Sequence, residues 1–386
     1  MIIDIDSHWE RQRYPRGGHP LEPWRDELPD LLELLKFAIG DDLLRCLPEK
    51  DRPSTSEFLP VLVARSEETG ESLHPRHEST VADRERWMDR VGIDHCLVNP
   101  GAYFEELAYL GPLHRRQGAE RCNSYLGEQL ADSGRLHPVA MLDFSEVGAA
   151  VAELERARRL GARGFFLMTD HGRPAGGVSP GHPRWDPLWS AATSLGMMPV
   201  IHVGNTLRDF TGWADIGWNE PGGVGAAGLV RLANMKVDHV AMDLLCALLF
   251  GGVFHRHPTL TVLVEEANAG WLPWFVKSAG RMAGPNPVLG DWPYPMSGTE
   301  MLKRNVRLTP LPGFGDDEAL ELLAVLPEMT VWSSDYPHAE GNAEPIALYQ
   351  PGLGDLPKEV REGFLGGTVE ESFARMGDPL PSRSAA

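Results

Sequence analysis

Short apolar runs alternate with longer amphipathic segments along most of the chain. We predict eight strands from these runs, and most of them precede a stretch with helical periodicity. Such alternation predicts a parallel sheet with helical crossovers. Eight units in one chain favour a closed (β/α)8 barrel over an open doubly wound sheet. The first predicted strand begins at residue 2, and the others are Asp94–Asn99, His137–Leu142, Gly164–Met168, Pro199–Val203, Leu260–Glu266, Val306–Leu311 and Thr330–Ser334.

One long interruption follows strand one. Residues 11–80 are polar and proline-rich, and within them only Leu28–Ile39 has a helical pattern. A connection of this length is typical of a lid or a binding loop. We predict a single distorted barrel domain over residues 1–376, with this insertion after strand one, and a disordered tail over residues 377–386. The other predicted helices are Val81–Val91, Glu106–Ser133 (with a break at Gly111-Pro112), Val147–Leu160, Trp185–Leu195, one or two within Gly225–Phe254, Trp271–Met282, Asp317–Leu326 and Lys358–Met376.

Several predicted strands end in a side chain that can bind a metal ion. Strand one carries Asp6 and His8, and the alternation of side chains along a strand places both on one face. His202 lies near the end of strand five, Glu266 ends strand six, and Asp335 follows strand eight. In a (β/α)8 barrel the functional side chains lie at the carboxyl ends of the strands. Imidazoles and carboxylates at one point suit a hard or borderline cation.

Composition narrows the classes of partner. The chain has 386 residues and a formal net charge of −19, from 36 basic and 55 acidic residues. Such an acidic chain is a poor ligand for a phosphate backbone, so we expect no nucleic-acid partner. No apolar run approaches the length of a membrane span, and the N-terminus lacks the pattern of a signal peptide. Four scattered cysteines without paired spacing indicate free thiols. We therefore predict a cytoplasmic protein with no membrane partner.

Three longer motifs, taken with the strand-one pair, resemble a known family. Gly251–Leu260 (GGVFHRHPTL), Glu266–Pro273 (EANAGWLP) and Ser334–His338 (SDYPH) are similar to the amidohydrolase-2 family, which includes the aminocarboxymuconate semialdehyde decarboxylase-like enzymes. The resemblance extends from residue 1 to about residue 376 and is weakest across residues 11–80. It implies a distorted TIM barrel with one divalent ion. Zinc is the expected ion, and manganese or iron(II) would also suit the donors.

The resemblance also implies a set of ligands. Asp6 and His8 would be the strand-one ligands, His202 the strand-five ligand and Asp335 the strand-eight ligand. Many decarboxylases of this branch carry His or Glu in place of Asp6, and they tend to have His on strand six. Here that place falls to Glu266, which could then act as an acid or base. Its neighbour Glu265 is expected to point outward, because alternation sends only one of the two inward.

Two reactions follow from such a site. The leading hypothesis is a non-oxidative decarboxylase of a small aromatic or unsaturated carboxylic acid, with Asp335 or Glu266 supplying the proton. The alternative is a metal-dependent hydrolase of a small ester, lactone or amide, with Asp335 moving the proton. A barrel that serves only as a binding scaffold is a third possibility. His338 is either a hydrogen-bonding partner near the site or a loop cap.

The loop after strand five suggests how a substrate is bound. It is rich in planar side chains and contains one arginine that could bind a carboxylate, although a lid packed by its own tryptophans would have the same composition. Two residues after strand one could line the same pocket. Relatives are often dimers, so we also expect a homodimer. The candidate substrate-binding residues are Trp9, Arg11, Asn205, Arg208, Trp213 and Trp218.

Overall fold

The computed structural model describes most of the barrel and little of the insertion. It covers residues 1–9, 20–21, 23–24, 80–100, 107, 110–167, 178–202, 235–285, 287–310, 316–337, 341–342 and 344–382. The predicted helix Leu28–Ile39 and nearly all of the predicted insertion lie outside these residues.

Seven parallel strands form one continuous sheet whose spatial order follows the chain order. Each strand pairs with the next in parallel register, as strand–helix alternation requires. All seven strands are buried along their whole length, as expected of a parallel sheet that is covered by helices. The strands are β1 Ile3–Trp9, β2 His95–Pro100, β3 Leu136–Ala140, β4 Gly164–Phe166, β5 Met198–His202, β6 Val262–Glu265 and β7 Val306–Leu308.

An irregular segment fills the eighth position. Leu308 N donates a hydrogen bond to Met329 O, and Val331 N donates one to Leu308 O. The segment therefore pairs with β7. At its other end, Asp335 N donates to Asp6 O and His8 N donates to Tyr336 O, which joins it to β1. The predicted (β/α)8 barrel is confirmed, but Thr330–Ser334 contributes isolated bridges instead of a regular strand.

The physical reason for this irregularity lies in the Asp4 side chain. Its Oδ1 accepts the backbone N–H of Ser334 at 2.9 Å, so a carboxylate replaces a backbone carbonyl in the ladder. Asp335 then takes a positive φ of 50°, which turns the chain out of the extended conformation.

Helices lie between the strands, and most match the predicted positions. Within the predicted helix Glu106–Ser133, a helix begins at Pro112, where the break at Gly111-Pro112 was predicted, and it ends at Leu130. The region before Phe254 divides into two helices at Gly251 and Gly252. The helices are α1 Val81–Val91, α2 Pro112–Leu130, α3 Val147–Arg159, α4 Asp186–Leu195, α5 Asp238–Phe250, α6 Val253–Arg256, α7 Leu272–Met282, α8 Gly298–Asn305, α9 Asp316–Val325, α10 Pro345–Leu353, α11 Lys358–Glu362 and α12 Thr368–Arg375.

Two of these helices were not predicted from the sequence. Helix α8 begins with a capping box, in which Ser297 and Glu300 satisfy each other's backbone N–H groups. Helix α10 contains Pro351 and has no strong apolar periodicity, so its sequence is atypical of a helix. None of the helices in the described part of the chain is long and apolar enough to cross a membrane.

The C-terminal segment packs against the barrel at the end opposite the carboxyl termini of the strands. Asp378 forms ion pairs with Arg158 and Arg163, and the Pro381 carbonyl lies 3.0 Å from His95 Nε2. Leu380 is buried. Within the predicted tail, residues 377–382 are therefore attached to the barrel by one carboxylate and one leucine.

Candidate metal centre

A β-bulge in β1 lies directly beneath the candidate site. Asp4 pairs with Cys96 and Ser7 pairs with Val98, so three steps along β1 correspond to two along β2. One extra residue of this kind bends a strand and redirects its side chains. Asp6 lies within the bulge and His8 follows it, and both side chains reach the same buried cluster.

Four buried side chains converge where β1, β5 and β6 end. Asp6, His8, His202 and Glu266 each offer one ligand atom, and these atoms lie within 4.8 Å of one another. His8 Nε2 lies 3.2 Å from Asp6 Oδ1 and 3.6 Å from Glu266 Oε1. His202 Nε2 lies 3.7 Å from Asp6 Oδ1 and 3.6 Å from Glu266 Oε2. Asp6 and Glu266 therefore lie between two imidazoles contributed by different strands.

Asp335 lies at the edge of this group. Its Oδ1 is 3.3 Å from His8 Nε2, and its side chain is fully buried. It does not belong to the set of four whose ligand atoms all lie within 4.8 Å of one another. The structure thus brings Asp335 next to the candidate ligands and gives Glu266 the more central position.

The alternation argument for strand six fails at its last residue. β6 ends at Glu265, and Glu266 adopts a left-handed conformation with φ 52°. This turn sends the Glu266 side chain into the site although the preceding Glu265 side chain is also buried in the barrel. The expectation that Glu265 points outward is wrong, because alternation holds only for extended residues.

Asn99 links Glu265 to the candidate ligands. It lies near the end of β2 and is fully buried. Its Nδ2 donates to Asp6 Oδ1 at 2.7 Å and to Glu265 Oε2 at 3.0 Å. Sequence reasoning missed Asn99, although it ends a predicted strand as the other site residues do. Asparagine is an uncommon metal ligand, so its residue type alone does not indicate a metal site.

Asp4 is a second residue that the sequence did not identify. Its carboxyl accepts hydrogen bonds from Ser334 Oγ at 2.5 Å and from Ser334 N. Burial raises the pKa of Asp4 to about 7, despite these hydrogen bonds and the opposing effect of the Arg84 charge. Asp4 connects β1 to the segment that carries Asp335, below the candidate ligands.

The electrostatics of the cluster favour a cation. Burial would lower the pKa of His202, but the Glu266 and Asp6 carboxylates raise it to about 9. Burial would raise the pKa of Asp6, but hydrogen bonds from His202 and His8 lower it on balance. For Glu265, burial and the nearby Asp6 charge raise the pKa well above its usual value. In the metal-free protein the imidazolium form of His202 thus supplies positive charge that a metal ion would replace.

The donor set fits a divalent metal ion. Two imidazole nitrogens and two carboxylates form a mixed nitrogen and oxygen set of the kind that zinc, manganese and iron(II) accept. Within the described part of the chain, Asp6 Oδ2 is buried and accepts no hydrogen bond. Buried carboxylate oxygens without a donor are rare, and a bound cation would satisfy this one. Asp6, His8, His202 and Glu266 would hold the ion.

Trp9 occupies a different environment from the one expected for a pocket residue. It is 4% exposed, and the Arg84 guanidinium lies over its ring at 5.7 Å from the centroid. The same guanidinium lies 4.9 Å from the Tyr336 ring centroid and donates to His8 O at 2.5 Å. Trp9 thus packs beside the site. Arg84 lies between the carboxyl end of β1, which carries Trp9, and Tyr336 of the eighth segment.

The remaining predicted residues cannot be related to this geometry. Two flank strand one or strand eight, and four belong to the loop after strand five. All lie outside the described residues: Arg11, Asn205, Arg208, Trp213, Trp218 and His338.

With the fold and the cluster described, comparison with known proteins identifies the family. The sequence model of the amidohydrolase family matches residues 3–373. The chain belongs to the amidohydrolase family. The motifs of the sequence predicted this family, and the match extends over nearly the whole chain. No curated protein sequence matches it significantly.

Solved structures with the same fold are distant in sequence. An amidohydrolase from Mycobacterium avium subsp. paratuberculosis K-10 is 18% identical with a TM-score of 0.66, over 96% of this chain and 98% of that one. 5-Carboxyvanillate decarboxylase from Sphingomonas paucimobilis is 17% identical with a TM-score of 0.62, over 97% and 98%. A dihydroxybenzoic acid decarboxylase from Polaromonas sp. JS666, with bound manganese and 2-nitroresorcinol, is 18% identical with a TM-score of 0.60, over 97% and 96%. At these identities the similarity establishes the fold.

Proposed function

We propose that this amidohydrolase is a metal-dependent, non-oxidative decarboxylase of a small aromatic or unsaturated carboxylic acid. The observation that carries the proposal is the buried set of Asp6, His8, His202 and Glu266, with Asp335 beside it, at the carboxyl ends of barrel strands. Structural neighbours that act on 5-carboxyvanillate and dihydroxybenzoate support decarboxylation over other reactions of the family.

The proposed reaction needs a metal site and a proton donor. A bound divalent ion would polarise oxygens of the substrate and hold its carboxylate. Decarboxylation breaks the bond between the carboxylate and the adjacent carbon, and a proton takes the place of the departing carbon dioxide on that carbon. The chain must therefore hold one proton near the substrate and deliver it during the reaction.

Asp335 is the better candidate for the proton donor. Glu266 lies within 3.6 Å of both imidazoles, which favours a role as a ligand. Asp335 contacts His8 at 3.3 Å and lies outside the compact set of four ligand atoms. We propose Glu266 as a ligand that can also exchange a proton, and Asp335 as the residue that carries the proton, with metal ligation as its alternative role.

The substrate pocket is proposed from the sequence. Arg208 and Arg11 would bind a carboxylate, while Trp213, Trp218 and Asn205 would contact a planar ring. Trp9 would act through packing against Arg84, which donates to the backbone of His8. His338 would hydrogen-bond to the substrate or to Asp335. A homodimer and a cytoplasmic location stay predictions from the sequence.

The identity of the metal is a separate proposal. The sequence favours zinc, and the dihydroxybenzoic acid decarboxylase among the structural neighbours binds manganese. Both ions accept two imidazoles and two carboxylates. Elemental analysis of protein expressed in medium that contains both metals decides between them, and reconstitution of metal-free protein with each ion shows which supports turnover.

Carbon dioxide release tests the proposed reaction. The metal-loaded protein is incubated with hydroxybenzoates, carboxyvanillate-type acids and muconate-type acids, and the Asp335→Asn variant serves as the inactive control. Release from at least one acid by the wild type, and none by the variant, supports the decarboxylase. Turnover confined to esters, lactones or amides would instead establish the hydrolase. Metal-loaded protein without activity on either panel would leave the scaffold alternative.

A further inference from the structure

A single amide connects two carboxylates beneath the candidate ligands. The Asn99 side chain is fully buried, and its amide group donates one hydrogen bond to Asp6 Oδ1 at 2.7 Å and another to Glu265 Oε2 at 3.0 Å. A side-chain amide carries two N–H donors, so this arrangement uses both. The two acceptors belong to β1 and β6, and Asn99 belongs to β2, so the contact joins three strands across the barrel interior.

The oxygen that Asn99 contacts lies closest to the imidazoles. Asp6 Oδ1 is 3.2 Å from His8 Nε2 and 3.7 Å from His202 Nε2. A hydrogen bond at 2.7 Å to this oxygen limits rotation of the carboxylate about its bond to Cβ. The position of Asp6 Oδ1 between the imidazoles is therefore determined by a residue that offers no ligand atom of its own to the set of four.

Asparagine is well suited to this contact. Two carboxylates close together repel each other unless donors lie between them. An aspartate at position 99 could donate at most one hydrogen in its protonated form and none in its ionised form. It would lose one of the two hydrogen bonds when protonated and both when ionised, and the ionised form would add a further negative charge beside Asp6. Alanine would remove both hydrogen bonds and leave the Glu265 and Asp6 oxygens short of a donor.

We propose that Asn99 is a positioning residue that sets the affinity of the centre for its divalent ion by holding the Asp6 carboxylate between His8 and His202. The inference rests on the proposed metal centre. Partners that hold metal ligands from outside typically change metal affinity 10- to 100-fold, on the order expected here.

Manganese affinity of the metal-free protein tests this role. Protein stripped with a chelator is titrated with Mn²⁺, and free Mn²⁺ is followed by electron paramagnetic resonance. We expect Asn99→Ala and Asn99→Asp to weaken Mn²⁺ binding by about 10- to 100-fold. Asn99→Ser, which keeps one donor, should lie between these variants and the wild type and serves if the larger changes prevent folding. Thermal unfolding of each metal-free variant shows whether a loss of Mn²⁺ affinity is accompanied by a loss of protein stability.

Asn123 provides a matched control. It is also a buried asparagine, and its amide group donates to Glu153 Oε1 at 2.6 Å and to Met141 O at 2.8 Å. None of these partners belongs to the metal cluster. Asn123→Asp should lower the unfolding temperature and leave Mn²⁺ affinity unchanged. If the loss of any buried amide weakened Mn²⁺ binding, Asn123→Asp would weaken it as well.

The outcomes separate this inference from the proposed function. If Asp6→Asn weakens Mn²⁺ binding and all Asn99 variants bind Mn²⁺ like the wild type, the role of Asn99 is overturned and the metal centre stands. If the wild type binds no Mn²⁺ and no Zn²⁺, or Asp6→Asn binds like the wild type, the metal centre itself fails and the role of Asn99 fails with it.

Discussion

At the residue scale, the site consists of buried carboxylates and imidazoles whose opposite charges stabilise each other. Asp6 and Glu266 lie between His8 and His202, and each contact is 3.7 Å or shorter. The carboxylates raise the pKa of His202 to about 9 although burial opposes this. Metal binding at neutral pH must therefore displace a proton as well as join four side chains.

The raised pKa of His202 predicts how metal affinity depends on pH. Below about 9 the metal-free protein holds a proton on His202, and the ion must displace it, so affinity should rise with pH and level off near that value. Calorimetric titration with Zn²⁺ at pH 7 in buffers of different ionisation enthalpy should show about one proton released per ion at this residue. Equal heats in all buffers would contradict the expectation.

The different positions of Glu266 and Asp335 predict different effects of two conservative changes. Glu266→Gln should reduce bound metal more than Asp335→Asn, because Glu266 lies within 3.6 Å of both imidazoles and belongs to the compact set of four ligand atoms, which does not include Asp335. Asp335→Asn should keep much of the metal and lower turnover by about 100-fold or more, as loss of a general acid does. Metal content and carbon dioxide release are measured on the same preparations. Equal metal loss in both variants would contradict this prediction and would indicate that Asp335 binds the metal ion as Glu266 does.

At the element scale, the site lies where regular structure ends. β1 has a bulge at Asp6, between Asp4 and Ser7, and both Glu266 and Asp335 have positive φ values. The sequence predicts the strands from short apolar runs that alternate with helical patterns, and it therefore predicts which residues lie at their ends. It did not predict the inward position of Glu265 or the role of Asp4, because a bulge and left-handed residues break the alternation on which such reasoning depends.

The hydrogen bonds between Asp4 and Ser334 predict the stability of barrel closure. Ser334→Ala removes the hydroxyl that donates to Asp4 Oδ2 at 2.5 Å in a fully buried environment. Leaving a buried carboxyl short of a donor should lower the free energy of unfolding by about 1–3 kcal/mol, measured by chemical denaturation. Ser194→Ala is the control, since that hydroxyl donates to the carbonyl of Ser190 in its own helix. A change in the control as large as in Ser334→Ala would contradict the closure role.

At the scale of the whole molecule, the barrel is closed at one side by an irregular segment and covered at its base by the C-terminus. Alternating strands and helices were enough to predict the barrel, since few architectures accommodate eight such units. The packing of residues 377–382 was not predicted, because proline, serine and glycine are typical of tails. The structure reveals it through the ion pairs of Asp378 with Arg158 and Arg163, the contact of Pro381 with His95 and the burial of Leu380.

These contacts predict the effect of shortening the chain. A chain that ends at Met376 loses Asp378 and the buried Leu380, and it leaves Arg163 without its carboxylate partner. Its free energy of unfolding should fall by about 2–4 kcal/mol, from one buried leucine and charge-assisted hydrogen bonds. A chain that ends at Ser382 is the control and should match the full-length protein. Equal stability of all three chains would show that the segment does not contribute.

The most direct test of the account is the metal content of the wild type beside that of His202→Ala, purified identically without added metal. The account predicts about one equivalent of a divalent ion in the wild type, as a single four-ligand centre requires, and at most about a tenth of that in the variant. Equal metal in both proteins, or no metal in the wild type even after reconstitution with zinc and manganese, would contradict the central claim that these side chains form a metal centre.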